Sequence, residues 1–175
     1  MSAGELARIV KLDRLPTDTV TIEASESERA ALAERFGLPA LHTLHAELRL
    51  DQHGAVIDAR GRLRASLEQR CAISDAPFAN SLDEPIAVRF VPAISEHGED
   101  EEIEFASDAP DEIEYDGAAI DLGEAVAQSF GLAIDPYAIG PEAEAVRKQA
   151  GILDEDTPSG PFAALAALKQ DSKPG

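Results

Sequence analysis

The chain has 175 residues, with 34 Asp and Glu against 15 Lys and Arg and a net charge of -19. That length suits one domain with a buried core, and a field this negative repels polyanions at long range, so nucleic acid can be met only through a local basic surface while basic proteins are attracted. No apolar run is long enough to cross a bilayer, the charges scattered through MSAGELARIVKLDRL do not fit a signal peptide, and a lone cysteine cannot form an internal disulfide, which together give the expectation of a cytoplasmic protein with no membrane partner.

The charge is divided unevenly. Residues 1–80 hold 10 Lys and Arg against 12 Asp and Glu, whereas residues 81–175 hold 5 against 22. The two halves therefore differ electrostatically.

In chain order, ELARIVKLDRLP ends at Pro16 and reads as a strand or edge segment. Ser25 with Glu28 three residues on forms a capping box, which predicts a helix over 26–36 with Ala30, Leu32, Ala33 and Phe36 as its apolar face and Gly37 and Pro39 as its stop. LHTLHAELRL then sets Leu44, Ala46, Leu48 and Leu50 on one face at period two, with Thr43, His45, Glu47 and Arg49 on the other: a half-buried strand. Asp51, Gln52, His53 and Gly54 make the turn, and AVIDARGRLRASLEQRC runs on as a second strand. In it Leu63, Ala65, Leu67 and Cys71 share one face and Arg60, Arg62, Arg64 and Arg70 share the other, while Gly61 marks a bulge or a close backbone approach. ISDAPFANSLDE is expected to connect to a third strand, PIAVRFVP, so that the middle of the chain forms an antiparallel meander.

Residues 96–124 hold 13 acids and no Lys or Arg. Their few apolar residues, Ile103, Phe105, Ile113 and Tyr115, predict an acidic loop at about 96–119 containing short strand fragments. Asp121 and Glu124 read as a second capping box ahead of LGEAVAQSFGLAI, a helix that buries Leu122, Val126 and Phe130. Gly140-Pro141 opens a further short helix with Glu142 and Glu144 in its first turn and Arg147 and Lys148 in its last, the signs favoured by the helix dipole. LDEDTPSGP reads as a linker and FAALAALKQ as a short amphipathic helix that needs something to dock on. The organisation predicted is one α+β domain over 1–153, built on a twisted antiparallel sheet able to curl toward a barrel with several helices packed against it, followed by a linker and tail over 154–175.

No catalytic, cofactor or metal site emerges. One cysteine and four scattered histidines lack metal-ligand spacing, and Cys71 has only Arg70 beside it, a poor activator for a nucleophile, so it reads as a buried, inert residue. There is no glycine-rich phosphate loop, no GxSxG, no HExxH and no calcium-loop pattern. Two charged surfaces are left. Arg60, Arg62, Arg64 and Arg70 form either an RNA-contact face or a solvated sheet face paired with acids from the second half, and Glu99, Asp100, Glu101 and Glu102 form either a surface for a basic partner or a solvated charge run.

Three blocks in order, GRLRASLEQRCAISDAPF, IDLGEAVAQSFGLAIDPY and PFAALAALK, resemble the YceD family, the large ribosomal RNA subunit accumulation proteins of bacteria and plastids, and their spacing covers most of the chain from about residue 40 onward. The chain departs from the family pattern at the cysteines. Ser74 stands where many relatives carry a second Cys, Ile73 replaces their Arg, and no cysteines follow Asp135-Pro136 where some relatives have a second pair. If those cysteines form a zinc site elsewhere in the family, this chain cannot hold one, and Cys71 reads as the surviving half, packing at a strand end. The resemblance implies a non-enzymatic role in the accumulation or processing of large-subunit ribosomal RNA and does not reveal the direct partner; the two charged surfaces add the expectation of an adaptor to that RNA, to a pre-ribosomal particle or to a basic ribosomal protein. The rival readings are a metal-assisted hydrolase using carboxylates of residues 96–124 and an acidic protein-binding module unrelated to ribosomes.

Overall fold

A computed structural model describes residues 4–93 and 110–151. The elements run β1 (Ile9–Lys11), a 3-10 turn (Leu12–Arg14), β2 (Val20–Glu23), α1 (Glu26–Arg35), β3 (Ala40–His53), β4 (Val56–Arg70), β5 (Pro77–Pro92), β6 (Asp111–Tyr115), β7 (Ala119–Asp121), α2 (Leu122–Ala133) and α3 (Ala143–Gln149). This is an α+β fold. Its main sheet has the order β2-β3-β4-β5-β6, and β1 with β7 forms a separate two-stranded sheet.

The long β3–β4–β5 meander is the scaffold. Gly54 at φ 65 supplies the left-handed residue that the short β3–β4 turn requires, so pairing reaches His53 opposite Val56 and the predicted turn residues Asp51 to His53 lie in the strand. β5 starts at Pro77, opposite Arg70, so FANSLDE is strand and the connection shrinks to the corner Cys71–Ala76, closed by Asp75 at φ 57. β4 offers the first half of β5 a full ladder of partners, and that outweighs the loop-like polarity of Asn80, Ser81, Asp83 and Glu84.

The sheet is mixed and open. β6 runs parallel to β5, against the purely antiparallel expectation, and the edge strands β2 and β6 do not pair with each other, so no barrel closes. Part of the predicted acidic loop is therefore ladder: Asp111, Glu112 and Glu114 stand on a strand. The rest of that loop, including Glu99, Asp100, Glu101 and Glu102, and the predicted linker and tail lie outside the described residues.

Period-two alternation decides what is buried. Leu44, Ala46 and Leu48 of β3, Ile57, Ala59, Leu63, Ala65 and Leu67 of β4, and Ile86, Val88 and Phe90 of β5 all point to one side. Leu32 of α1 and Leu122, Val126 and Phe130 of α2 complete that core, and Phe36 meets Phe130 edge to face at 5.5 Å. A Cβ at Gly61 would lie 1.8 Å from the carbonyl oxygen of Glu47, which identifies this glycine as a close backbone approach between β3 and β4.

The N-terminal segment is clamped to the start of α2. The amide of Arg8 donates to Asp121 Oδ1 at 2.8 Å, the amide of Leu122 donates to the Arg8 carbonyl at 3.1 Å, and a Cβ at Gly123 would lie 1.5 Å from the Leu6 carbonyl oxygen. The capping box of α1 forms in full between Ser25 and Glu28. That of α2 forms by half: Asp121 accepts from the amides of Gly123 and Glu124, but the Glu124 carboxylate turns to Arg35, a cation 2.8 Å away.

Candidate nucleic-acid interface

The odd residues of β4 fill the core, so its even residues stand on the far side of the sheet, where Arg60, Arg62, Arg64 and Arg70 are all exposed. Successive members of the run 60, 62, 64 are separated by two residues, about 7 Å along the strand. The structure brings these three together. Arg70 stands apart, six residues or about 20 Å further on, where its Nη1 donates to the carbonyl oxygen of Asp75 at 3.1 Å and reaches the Asp75 carboxylate at 3.4 Å. It holds the strand corner rather than extending the face.

Cross-strand register determines which guanidiniums are neutralised. Asp83 stands directly opposite Arg64 on β5, accepts a hydrogen bond from Arg62 Nε and lies 3.5 Å from Arg64 Nε. The bond from Arg62 holds the Asp83 carboxyl below the usual carboxylate range, with the charges of Arg62 and Arg64 adding to it, and the same bond raises Arg62. Further along, Asp58 is 6% exposed despite being on this outer face, because Arg89 covers it and donates at 2.8 Å. That bond, with the charges of Arg89 and Arg60, lowers the Asp58 carboxyl against the cost of its burial. The arginine surface is thus interleaved with acids.

Two basic residues belong to this surface besides the predicted four. Arg89 and Arg49 are placed there by register: Arg89 opposite Asp58, and Arg49 opposite Arg60. The alternation of LHTLHAELRL had already put Arg49 on the polar side of its strand. Its position beside Arg60 depends on the pairing of the two strands and is not written in either one alone.

Cys71 occupies the corner after β4 and is 3% exposed, lining a cavity of about 200 Å³ with Ser74, Phe78, Gly140 and Glu142 among its walls. The Ser74 hydroxyl, followed by the amides of Ser74, Gly140 and Ile73, draws the thiol down to about 7. The corner is also a backbone junction, with the amide of Ala72 donating to the Ala138 carbonyl at 3.0 Å and the Gln69 side-chain amide donating to the Asp135 carbonyl at 3.0 Å. Among the described residues no three His, Cys, Asp or Glu side chains are grouped to hold a metal ion, and no helix is long and apolar enough to cross a membrane.

No curated protein and no solved structure matches the chain. The model of the YceD family, described as large ribosomal RNA subunit accumulation protein, matches residues 59–169, from near the start of β4 through the Cys71 corner, β5 and α2 and on past α3. With the match covering well over half of its length, the chain belongs to the YceD family of large ribosomal RNA subunit accumulation proteins.

Proposed function

We propose that this protein is a non-enzymatic assembly factor: it supports the accumulation or processing of large-subunit ribosomal RNA by holding RNA phosphate on the exposed arginine face while its acidic second half engages a basic ribosomal protein. Family membership ties the chain to large-subunit ribosomal RNA. The observation that carries the mechanism is the position of Arg60, Arg62 and Arg64, exposed in a row on a strand whose other face is core. A net charge of -19 keeps long-range attraction to RNA weak, so binding depends on short-range contacts between guanidinium forks and phosphate oxygens.

Converting Arg60, Arg62, Arg64 and Arg70 to Glu leaves every core residue in place. The quadruple variant is expected to melt as a folded protein and to lose association with large-subunit ribosomal RNA, while binding by the unaltered protein weakens steeply with salt. RNA association that survives in the folded variant would remove the RNA half of this reading.

A further inference from the structure

Resting on the RNA reading above, we infer that Arg49 and Arg60 together form the phosphate seat of the outer face and that the partner is the sugar-phosphate backbone of double-helical RNA. The residues of this face fall into rows across the sheet. One row holds Glu47 opposite Arg62, and the row two residues along in the other direction holds Asp51, Asp58 and Arg89. Between them lies the row Arg49, Arg60, Ala87, which contains no carboxylate.

Neither guanidinium in that row is well neutralised. Arg49 is exposed and makes no hydrogen bond or ion pair with the described residues, and Arg60 has a single 3.7 Å approach to Asp58, whose carboxylate already accepts from Arg89 at 2.8 Å. Like charges directly opposite one another on neighbouring strands destabilise a sheet. An anion seated between the two forks removes that repulsion, and a phosphate matches guanidinium geometry from both sides. Both guanidiniums are exposed: β2 pairing ends at Val20 with Leu48, one residue short of Arg49, and Ala87 is short on the other side.

The rest of the face selects the form of RNA. Single-strand binders rely on large aromatic side chains that stack on successive bases, and among the described residues the outward-facing positions of the main sheet carry no Phe, Tyr or Trp, only the small rings of His45 and His53; Phe78, Phe90 and Tyr115 all belong to the opposite parity. An exposed, polar face with two forks suits helical RNA, whose bases are turned inward and whose phosphates and 2′-hydroxyls are presented outward. The acids of the flanking rows keep additional phosphates off, so the contact is narrow and its salt dependence is dominated by this one pair.

The experiment compares the intact protein with the double variants Arg49→Gln/Arg60→Gln and Arg62→Gln/Arg64→Gln, measuring affinity across a salt series for an RNA duplex and for a single strand of the same sequence. The expected result is preference for the duplex, at least a tenfold loss in the 49/60 variant with its salt slope reduced by about 2, and a smaller loss in the 62/64 variant, whose guanidiniums Asp83 already occupies. The melting temperature of the 49/60 variant should equal or exceed that of the unaltered protein. If the intact protein binds RNA and the 49/60 variant binds equally well, the seat is misassigned; preference for the single strand overturns the choice of partner. If the intact protein binds neither RNA at any salt concentration, the RNA reading itself fails.

Discussion

Asp83 is the residue that most limits the arginine face, because it accepts from Arg62 and draws Arg64 to 3.5 Å. A phosphate reaching Arg62 or Arg64, beyond the seat at Arg49 and Arg60, has to displace it. Asp83→Asn keeps the shape, removes the charge, and is expected to raise RNA affinity several-fold at fixed salt with little change in melting temperature, since exposed ion pairs contribute little to stability. Weaker binding in this variant would instead make Asp83 an organiser of the arginines. Glu28 presents the opposite case, an acid whose pairing serves the fold. Its carboxyl is held down to about 2, first by the hydrogen bond from Arg8 and then by the Ser25 amide and hydroxyl, against the opposing effect of burial. The unfolded group titrates near 4.5, so its stabilisation is complete above that pH and is lost as pH falls from 4.5 toward 2. Glu28→Gln is expected to lower stability at neutral pH by about 1 kcal/mol, a figure reduced for the partial exposure of the pair, and to flatten the acid limb of a melting-temperature profile. An unchanged limb would assign acid sensitivity to other carboxylates.

Between elements, the β3–β4 contact at Gly61 is the tightest constraint on the sheet. Gly61→Ala places a methyl group 1.8 Å from the Glu47 carbonyl oxygen, inside any permitted contact, and backbone is the atom that must move. Urea unfolding should show a loss of about 3 kcal/mol; a loss below about 0.5 kcal/mol would mean the two strands slide apart freely. The same elements show how far sequence reading reaches. β3, β4, α1 and α2 were legible because each carries its own periodicity over ten or more residues, and the outward parity of Arg60, Arg62 and Arg64 came with them. β2 was not, because four residues with two apolar positions carry little periodic signal. The first half of β5 was hidden by Asn80, Ser81, Asp83 and Glu84, which become strand only because β4 supplies a partner, and β6 by a parallel pairing that no local pattern announces. At the site, the separation of Arg70, the hold of Asp83 on two arginines and the opposition of Arg49 to Arg60 all depend on register between strands, and so were out of reach of any one segment.

For the whole molecule, the decisive quantity is the contrast between a first half that is nearly neutral and a second that carries most of the charge of -19. The acidic run departs from the end of β5, where the amide of Ala93 donates to the Tyr115 carbonyl at 2.9 Å, and returns at Asp111, opposite Val88, so both of its bases lie against the sheet edge. In the proposed function the carboxylates of Glu99, Asp100, Glu101 and Glu102 attract a basic ribosomal protein, an interaction that salt would weaken. Replacing the four by Ser is expected to reduce capture of ribosomal proteins while leaving the melting temperature equal or slightly higher through relief of self-repulsion. Undiminished capture would make the run a solubility device and remove the protein-partner half of the proposed function.

The clamp between the N-terminal segment and α2 also sets an order of events during translation. Arg8 leaves the ribosome 113 residues ahead of Asp121, its partner in the finished fold, an interval on the order of ten seconds at ordinary elongation rates. Arg35 likewise precedes Glu124 by 89 residues. The β3–β4 hairpin can pair as soon as Arg70 has emerged, so the arginine run of β4 is assembled while the acids that dominate the mature charge have yet to emerge. A chain that carries a charge of -19 in full thus first displays its basic groups on a nearly neutral nascent segment beside ribosomal RNA.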